Sequence, residues 1–231
     1  MIYLPEPVEG RITAKLNRFL CEARIDGRAV RAHIPNSGRL TEFFTKGRPA
    51  LFSREPSPAR RTEYSLRAVR YAGRWVCVDS TVPNRLAAEL ARGQAPPLFK
   101  GYDTVKREHT LDHHRFDLAL SGAGLPPLMV EVKSVTLVTD GVARFPDAPT
   151  ARGRSHLDTL ARLCGEGWRC AALFVIMRSD ARVFEPNRAT DPEFCAALRR
   201  ARAAGVQLYA LRCRVGRRAI APLGFVEVDL G

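Results

Sequence analysis

No stretch of the 231-residue sequence is long and apolar enough to span a membrane. The longest apolar run, Cys170 to Met177, is eight residues, against the roughly 20 that a spanning helix needs. The first residues, Met1-Ile-Tyr-Leu-Pro-Glu-Pro, lack the basic start, apolar stretch and small-residue cleavage site of a secretory signal. The chain is therefore expected in the cytoplasm, without a membrane partner. Cysteine occurs at 21, 77, 164, 170, 195 and 213 but never in the paired C-x-x-C spacing of a zinc knuckle, so reduced core residues are expected. Lysine is scarce: five (15, 46, 100, 106 and 133) among 37 basic residues. In so arginine-rich a background, a lysine marks a position where positive charge alone is not the requirement. There is no internal repeat and no low-complexity tail.

What the sequence does have is positive charge. A formal net charge of +13 with 45% apolar residues describes a chain that can bury a sizeable core and attract a polyanion. The excess is concentrated early: 16 basic against 8 acidic residues through Arg85, and 21 against 16 beyond it. Nucleic acid, DNA first, is the expected partner.

Patterning changes near Pro83. Before it, short β-type runs dominate. Asp26-Gly27 and Ala72-Gly73 supply tight hairpin turns, and about five short strands fit a small closed barrel of the oligonucleotide-binding (OB) type. The expected division is a barrel over residues 1–82 that binds nucleic acid and an α/β domain over 83–231. Arg18, Arg24, Arg31, Arg39 and Arg67 would contact phosphates and Tyr64 would offer a stacking surface. Beyond Pro83 the reading is a helix capped by Asn84, strands at 102–109, 114–120 and 128–135, a helix over 150–166, a strand at 168–177, a helix started by Asp191-Pro192, and a strand at 206–211.

The chemistry concentrates on two of these strands, Arg115-Phe-Asp-Leu-Ala-Leu and Met129-Val-Glu-Val-Lys-Ser, with eight residues, 121–128, between them. A hairpin symmetric about Gly124 sets Asp117 opposite Glu131. Carboxylates paired at about 4.5–5.5 Å between β-carbons repel unless a proton or a cation lies between them. Lys133 shares the face of Glu131, while Val130 and Val132 point to the opposite, core face. An Asp from one strand and a Glu-x-Lys from the next suit metal-dependent phosphodiester hydrolysis with Mg²⁺ or Mn²⁺, the carboxylates holding the ion and the lysine handling water. The pattern resembles the PD-(D/E)XK nuclease superfamily, whose core has the same order of helix, three strands, helix and strand. That resemblance implies metal ligation by Asp117, Glu131 and the backbone carbonyl of Val132, and admits a further carboxylate, Glu89, from the preceding helix. Arg152 and His156, four residues apart on the next helix, share a face and would bind the scissile phosphate.

A longer series of motifs, His33-x-x-Asn36-Ser-Gly-Arg39-Leu, Pro83-Asn84, Arg115-Phe-Asp117, Glu131-Val-Lys133-Ser-Val-Thr-Leu137, Phe145-Pro-Asp-Ala-Pro-Thr150-x-Arg-Gly-x-x-His156-Leu and Asp191-Pro192, resembles in order the sugar fermentation stimulation protein A family. The resemblance implies an OB-like barrel, a nuclease-like domain, DNA binding and a regulatory link to maltose metabolism. DNA binder and metal-dependent nuclease therefore both stand at this stage. They differ only in turnover, and the sequence leaves the oligomeric state open.

Overall fold

The computed structural model describes residues 1–58 and 60–231. The first sheet contains β2 (Pro7–Asn17), β3 (Leu20–Ile25), β4 (Arg28–His33), β5 (Pro49–Arg54), β6 (Tyr64–Tyr71) and β7 (Arg74–Cys77), after a short β1 (Ile2–Tyr3) that belongs elsewhere. Their order is β4-β3-β2-β5-β6-β7, and a parallel β4–β6 pairing closes the first five into a barrel. Closure removes the exposed edges that would otherwise pair with another chain. Both expected hairpin turns form, with positive φ at Asp26 and Gly27 and at Ala72 and Gly73, as a type I′ turn demands. Ile12, Phe43, Phe52 and Leu66 fill the barrel.

The second sheet follows α1 (Val82–Arg92) and holds β8 (Thr104–Leu111), β9 (His114–Ser121), β10 (Leu128–Val135), β11 (Leu137–Thr139), β12 (Val142–Phe145), β13 (Arg169–Ile176), β14 (Val183–Pro186), β15 (Gln207–Val215) and β16 (Ala219–Val228), with α2 (Ala151–Gly165) and α3 (Pro192–Ala203) between strands. Its order is β11-β12-β14-β16-β15-β13-β10-β9-β8, with β1 on β16. The centre, β10-β13-β15, is parallel. Parallel strands are buried on both faces, and here side-chain alternation sorts the two. Val130, Val132, Leu173 and Val175 meet Leu86 of α1 and Leu51, Ala68 and Cys77 of the barrel. Met129, Ala172, Phe174 and Ile176 meet Leu157 and Leu160 of α2 and Phe194 and Leu198 of α3. Thr150 and Asp191 cap the two later helices, accepting from the N–H of Gly153 and Phe194.

The face that carries Glu131 is covered by α2. Two expectations change. Asn84 is not a helix cap: α1 begins at Val82 with Thr81 as its cap residue, and Pro83 sits in the first turn, where a missing N–H costs nothing. The segment read as a single strand at 206–211 runs to Val215 and turns back as β16, which pairs with β1. Five of the six cysteines are buried and none is bonded to another among the described residues, and no helix is long and apolar enough to cross a membrane.

The first core cluster is continuous from the barrel to the large sheet, so the two sheets should unfold together. Trp75 reports on the barrel side and Trp168 on the α2–α3 side. Urea unfolding of Trp75→Phe and of Trp168→Phe should each show one transition, with the remaining tryptophan's fluorescence coincident with far-UV circular dichroism. Separate midpoints for the two signals within one variant would contradict a shared core.

Candidate active site

β9 and β10 pair antiparallel through Leu128↔Leu120, Met129↔Ala119 and Val130↔Leu118, the register of a hairpin symmetric about Gly124. Backbone pairing stops there. The next inward N–H, that of Val132, is taken instead by the Asp117 side chain, whose Oδ2 accepts it at 2.7 Å. Asp117 Oδ1 accepts from Asn84 Nδ2 at 2.5 Å. One carboxylate is thus fixed by a strand amide and by the first turn of α1.

Glu131 is held from the other side. Lys133 Nζ donates to Glu131 Oε1 at 2.5 Å, and His156 Nδ1 lies 2.5 Å from the same oxygen. Arg152 Nε donates to His156 Nε2 at 3.4 Å. These two contacts fix the ring with Nδ1 directed at Glu131. Both donors use one oxygen. Glu131 Oε2 is buried and has no hydrogen-bond partner among the described residues. An orphaned carboxylate oxygen in a residue only 4% exposed is costly unless a cation completes it.

The two carboxyls respond differently to these surroundings. Burial, and then the charge of Glu131, push Asp117 up to about 6. Burial also opposes ionisation of Glu131, but Lys133 and His156 outweigh it and hold that carboxyl below its usual range. At neutral pH both carry charge, side by side in a half-dry site, an arrangement that suits a divalent cation. No cluster of three or more His, Cys, Asp or Glu side chains surrounds them among the described residues. Two carboxylates with backbone and water oxygens as the remaining ligands match the donor set of Mg²⁺ or Mn²⁺ rather than of zinc.

Asp117, Glu131, Val132, Lys133, Asn84, Arg18 and Arg152 line one cleft of about 510 Å³ between barrel and large sheet. A clasp sets its width. Asp147, from the loop after β12, accepts the backbone N–H of Arg39 at 2.9 Å, and Asn36 Oδ1 accepts that of Gly38 at 2.7 Å while its Nδ2 donates to Val78 O at 2.8 Å. A β-carbon on Gly38 would lie 2.5 Å from Asp147 Oδ2, so only glycine permits this approach.

Several expected residues fall elsewhere. Glu89 is on the far side of α1, where it pairs with Arg92 at 2.6 Å beside Arg85 and Met1. Five helical residues separate it from Asn84, about 140° of rotation, so the two cannot face the same cleft. Arg67 is nearly enclosed, paired with Glu55 and Asp79, and has no freedom to meet a phosphate. Tyr64 packs against the barrel core instead of offering an open ring. Arg24 and Arg31 lie on the barrel surface, engaged with Gly27 O and Glu22. Arg39 serves the clasp through its backbone. His156 is 2% exposed behind Glu131, a positioning residue and not a phosphate ligand. From the sequence, Asn84 received only a helix-capping role and Asp147 none, although both lie inside the motifs that stood out in it.

The comparisons agree with this architecture. Residues 14–78 match the family described as SfsA N-terminal OB domain, and residues 81–219 the Sugar fermentation stimulation protein RE domain. A sugar fermentation stimulation protein homolog of Desulforamulus reducens is 42% identical over 230 residues, covering 99% of this chain and 95% of its own. One from Moorella thermoacetica is 41% identical over 233 residues and covers both chains fully. The structure of Pyrococcus furiosus SfsA in complex with Ca²⁺ is similar with a TM-score of 0.90 at 26% identity, over 99% of this chain and 98% of that one.

The raised Asp117 carboxyl has a consequence for stability. A carboxyl that binds its proton more tightly folded than unfolded stabilises most at low pH, and that contribution is lost as pH rises through about 6. In EDTA, the stability of the wild type relative to Asp117→Asn should fall between pH 4 and pH 7, by on the order of 2–3 kcal/mol. Denaturant titrations of both proteins across that range read it directly. A difference that does not vary with pH would contradict the charge environment described.

Proposed function

Since the chain belongs to the sugar fermentation stimulation protein family, we propose that it binds nucleic acid, DNA first, along the cleft between barrel and sheet and hydrolyses phosphodiester bonds there with a divalent cation. The observation that carries this reading is the buried, unpartnered Glu131 Oε2 beside Asp117. The Ca²⁺ in the Pyrococcus furiosus relative supports a cation of this class. Asp117, Glu131 Oε2 and the Val132 carbonyl would hold Mg²⁺ or Mn²⁺. When bound, such an ion supplies Lewis-acid stabilisation of the phosphate and lowers the pKa of nearby water.

The chain's own residues do the rest. Lys133 spends one of its three donors on Glu131 and keeps others to orient the attacking water or to neutralise charge as it develops on the phosphate. Arg152 and Arg18, which line the cleft, bind flanking phosphates. His156 and Asn84 hold Glu131 and Asp117 in place. The division of labour expected from the sequence, residues 1–82 gripping nucleic acid and 83–231 supplying the chemistry, is part of the proposal. So is the link to maltose metabolism, which rests on family membership alone.

Plasmid, single-stranded DNA and RNA incubated with Mg²⁺, Mn²⁺ or EDTA test it. Cleavage is expected with a cation and not with EDTA. Lys133→Ala and Lys133→Arg should each lower the rate by roughly 100-fold or more, with affinity changed only a few-fold, because one phosphate contact among several is altered. Arginine keeps the charge but neither the shape nor the proton affinity of lysine. Full activity in Lys133→Arg would reduce the lysine to electrostatics. A wild type that binds DNA yet never cuts would leave a binder without turnover.

A further inference from the structure

The large exposed aromatics among the described residues are Tyr3, Phe19 and Phe225. Tyr3 lines a separate depression near α1, and Phe225 packs on Tyr209 with ring centroids 5.3 Å apart. Phe19 differs from both. It stands at the tip of the β2–β3 hairpin, 48% exposed, next to Arg18, a cleft-lining residue. The Arg18 guanidinium sits over the Phe19 ring, 5.9 Å from its centroid. Asn17 Oδ1 accepts the N–H of Phe19 at 2.9 Å, and Phe19 O accepts that of Ile34 at 2.8 Å, so the backbone that carries the ring is fixed. Leu16, 43% exposed, extends the apolar surface of the same tip.

We propose that this tip is a base-stacking site: Phe19 receives one unpaired nucleobase of a DNA or RNA strand while Arg18 holds the adjoining phosphate at the mouth of the cleft. The inference rests on the nucleic-acid reading above and adds substrate class to it, a strand with at least one unstacked base in preference to an intact duplex. Three physical points support it. A half-exposed ring at a hairpin tip can meet a ligand without disturbing the core. An aromatic face takes any base, because every base offers a π-face. A guanidinium over one face of the ring supplies the charge that a nucleobase's own phosphate requires and stiffens the platform by cation–π contact, leaving the other face for the base. A base pair inside a duplex presents only its edges, so away from its ends a duplex cannot use the ring without opening a base pair.

The test is a cycle of protein and ligand changes read by fluorescence anisotropy in EDTA. The ligands are a short single-stranded DNA, an RNA of the same sequence, the same DNA with its bases removed, and a closed circular duplex, which has no end faces. For wild type, Phe19→Ala should weaken single-strand binding by about 5- to 100-fold, and Phe19→Trp should preserve it. Base removal should weaken wild-type binding by a similar factor and Phe19→Ala binding much less. Duplex affinity should be the same in all three proteins. Equal loss on DNA and RNA is expected of stacking; a loss confined to one would overturn a contact made to the base face alone. If wild type binds the single strands but Phe19→Ala binds them equally well, the stacking site is wrong while the nucleic-acid reading stands. If wild type binds none of the ligands, in EDTA or with Ca²⁺, both fall. Phe19 is exposed and outside the core, so the variants should fold, which circular dichroism verifies.

Discussion

The architecture around the cleft turns on one asymmetry: two donors, Lys133 Nζ and His156 Nδ1, converge on a single oxygen of Glu131 and leave the other bare. A buried carboxylate with both oxygens satisfied would be inert, and one with neither satisfied would give up its charge. Holding one oxygen keeps Glu131 ionised and leaves the other, still buried, without a partner among the described residues. To do this the fold must put His156 of α2 behind the strand, which requires that the Glu131 face be covered. The parallel centre of the sheet, buried on both sides, makes that possible.

Asp117 is held by different means. It occupies the point where β9 and β10 cease to pair, and its carboxylate replaces the missing backbone acceptor for Val132. The same bond therefore ends the ladder and aims the side chain. Asn84 completes the arrangement from α1. An amide there can donate to a carboxylate without adding a third negative charge. A glutamate in that position would raise the repulsion already expressed in the elevated Asp117 carboxyl.

Much of this was legible in sequence because local rules governed it. The Asp26-Gly27 and Ala72-Gly73 turns, the Asp191 cap, and the pairing register about Gly124 each depend on a few adjacent residues. What was not legible depends on distant parts of the chain. Residues 2–3 join β16 only through a pairing between the two ends of the sequence. Whether Glu89 or Asn84 faces the cleft depends on which side of α1 the sheet covers. Arg67 reads as a surface cation until the fold brings Glu55 and Asp79 against it, and Tyr64 reads as a platform until the fold packs it, partly buried, against the barrel core. Asn36, Gly38 and Asp147 stand out as motifs, but their common purpose, a clasp between barrel and sheet, exists only in three dimensions.

The account makes one structural claim above the others, that Glu131 Oε2 and Asp117 share a divalent cation. Anomalous scattering from crystals grown with Mn²⁺ measures it most directly. The predicted result is a peak in the cleft at coordination distance, about 2.1 Å, from Glu131 Oε2 and from an Asp117 oxygen, lost in crystals of Glu131→Gln. A fully formed cleft with no peak between those two carboxylates, at Mn²⁺ concentrations that populate other sites, would contradict it.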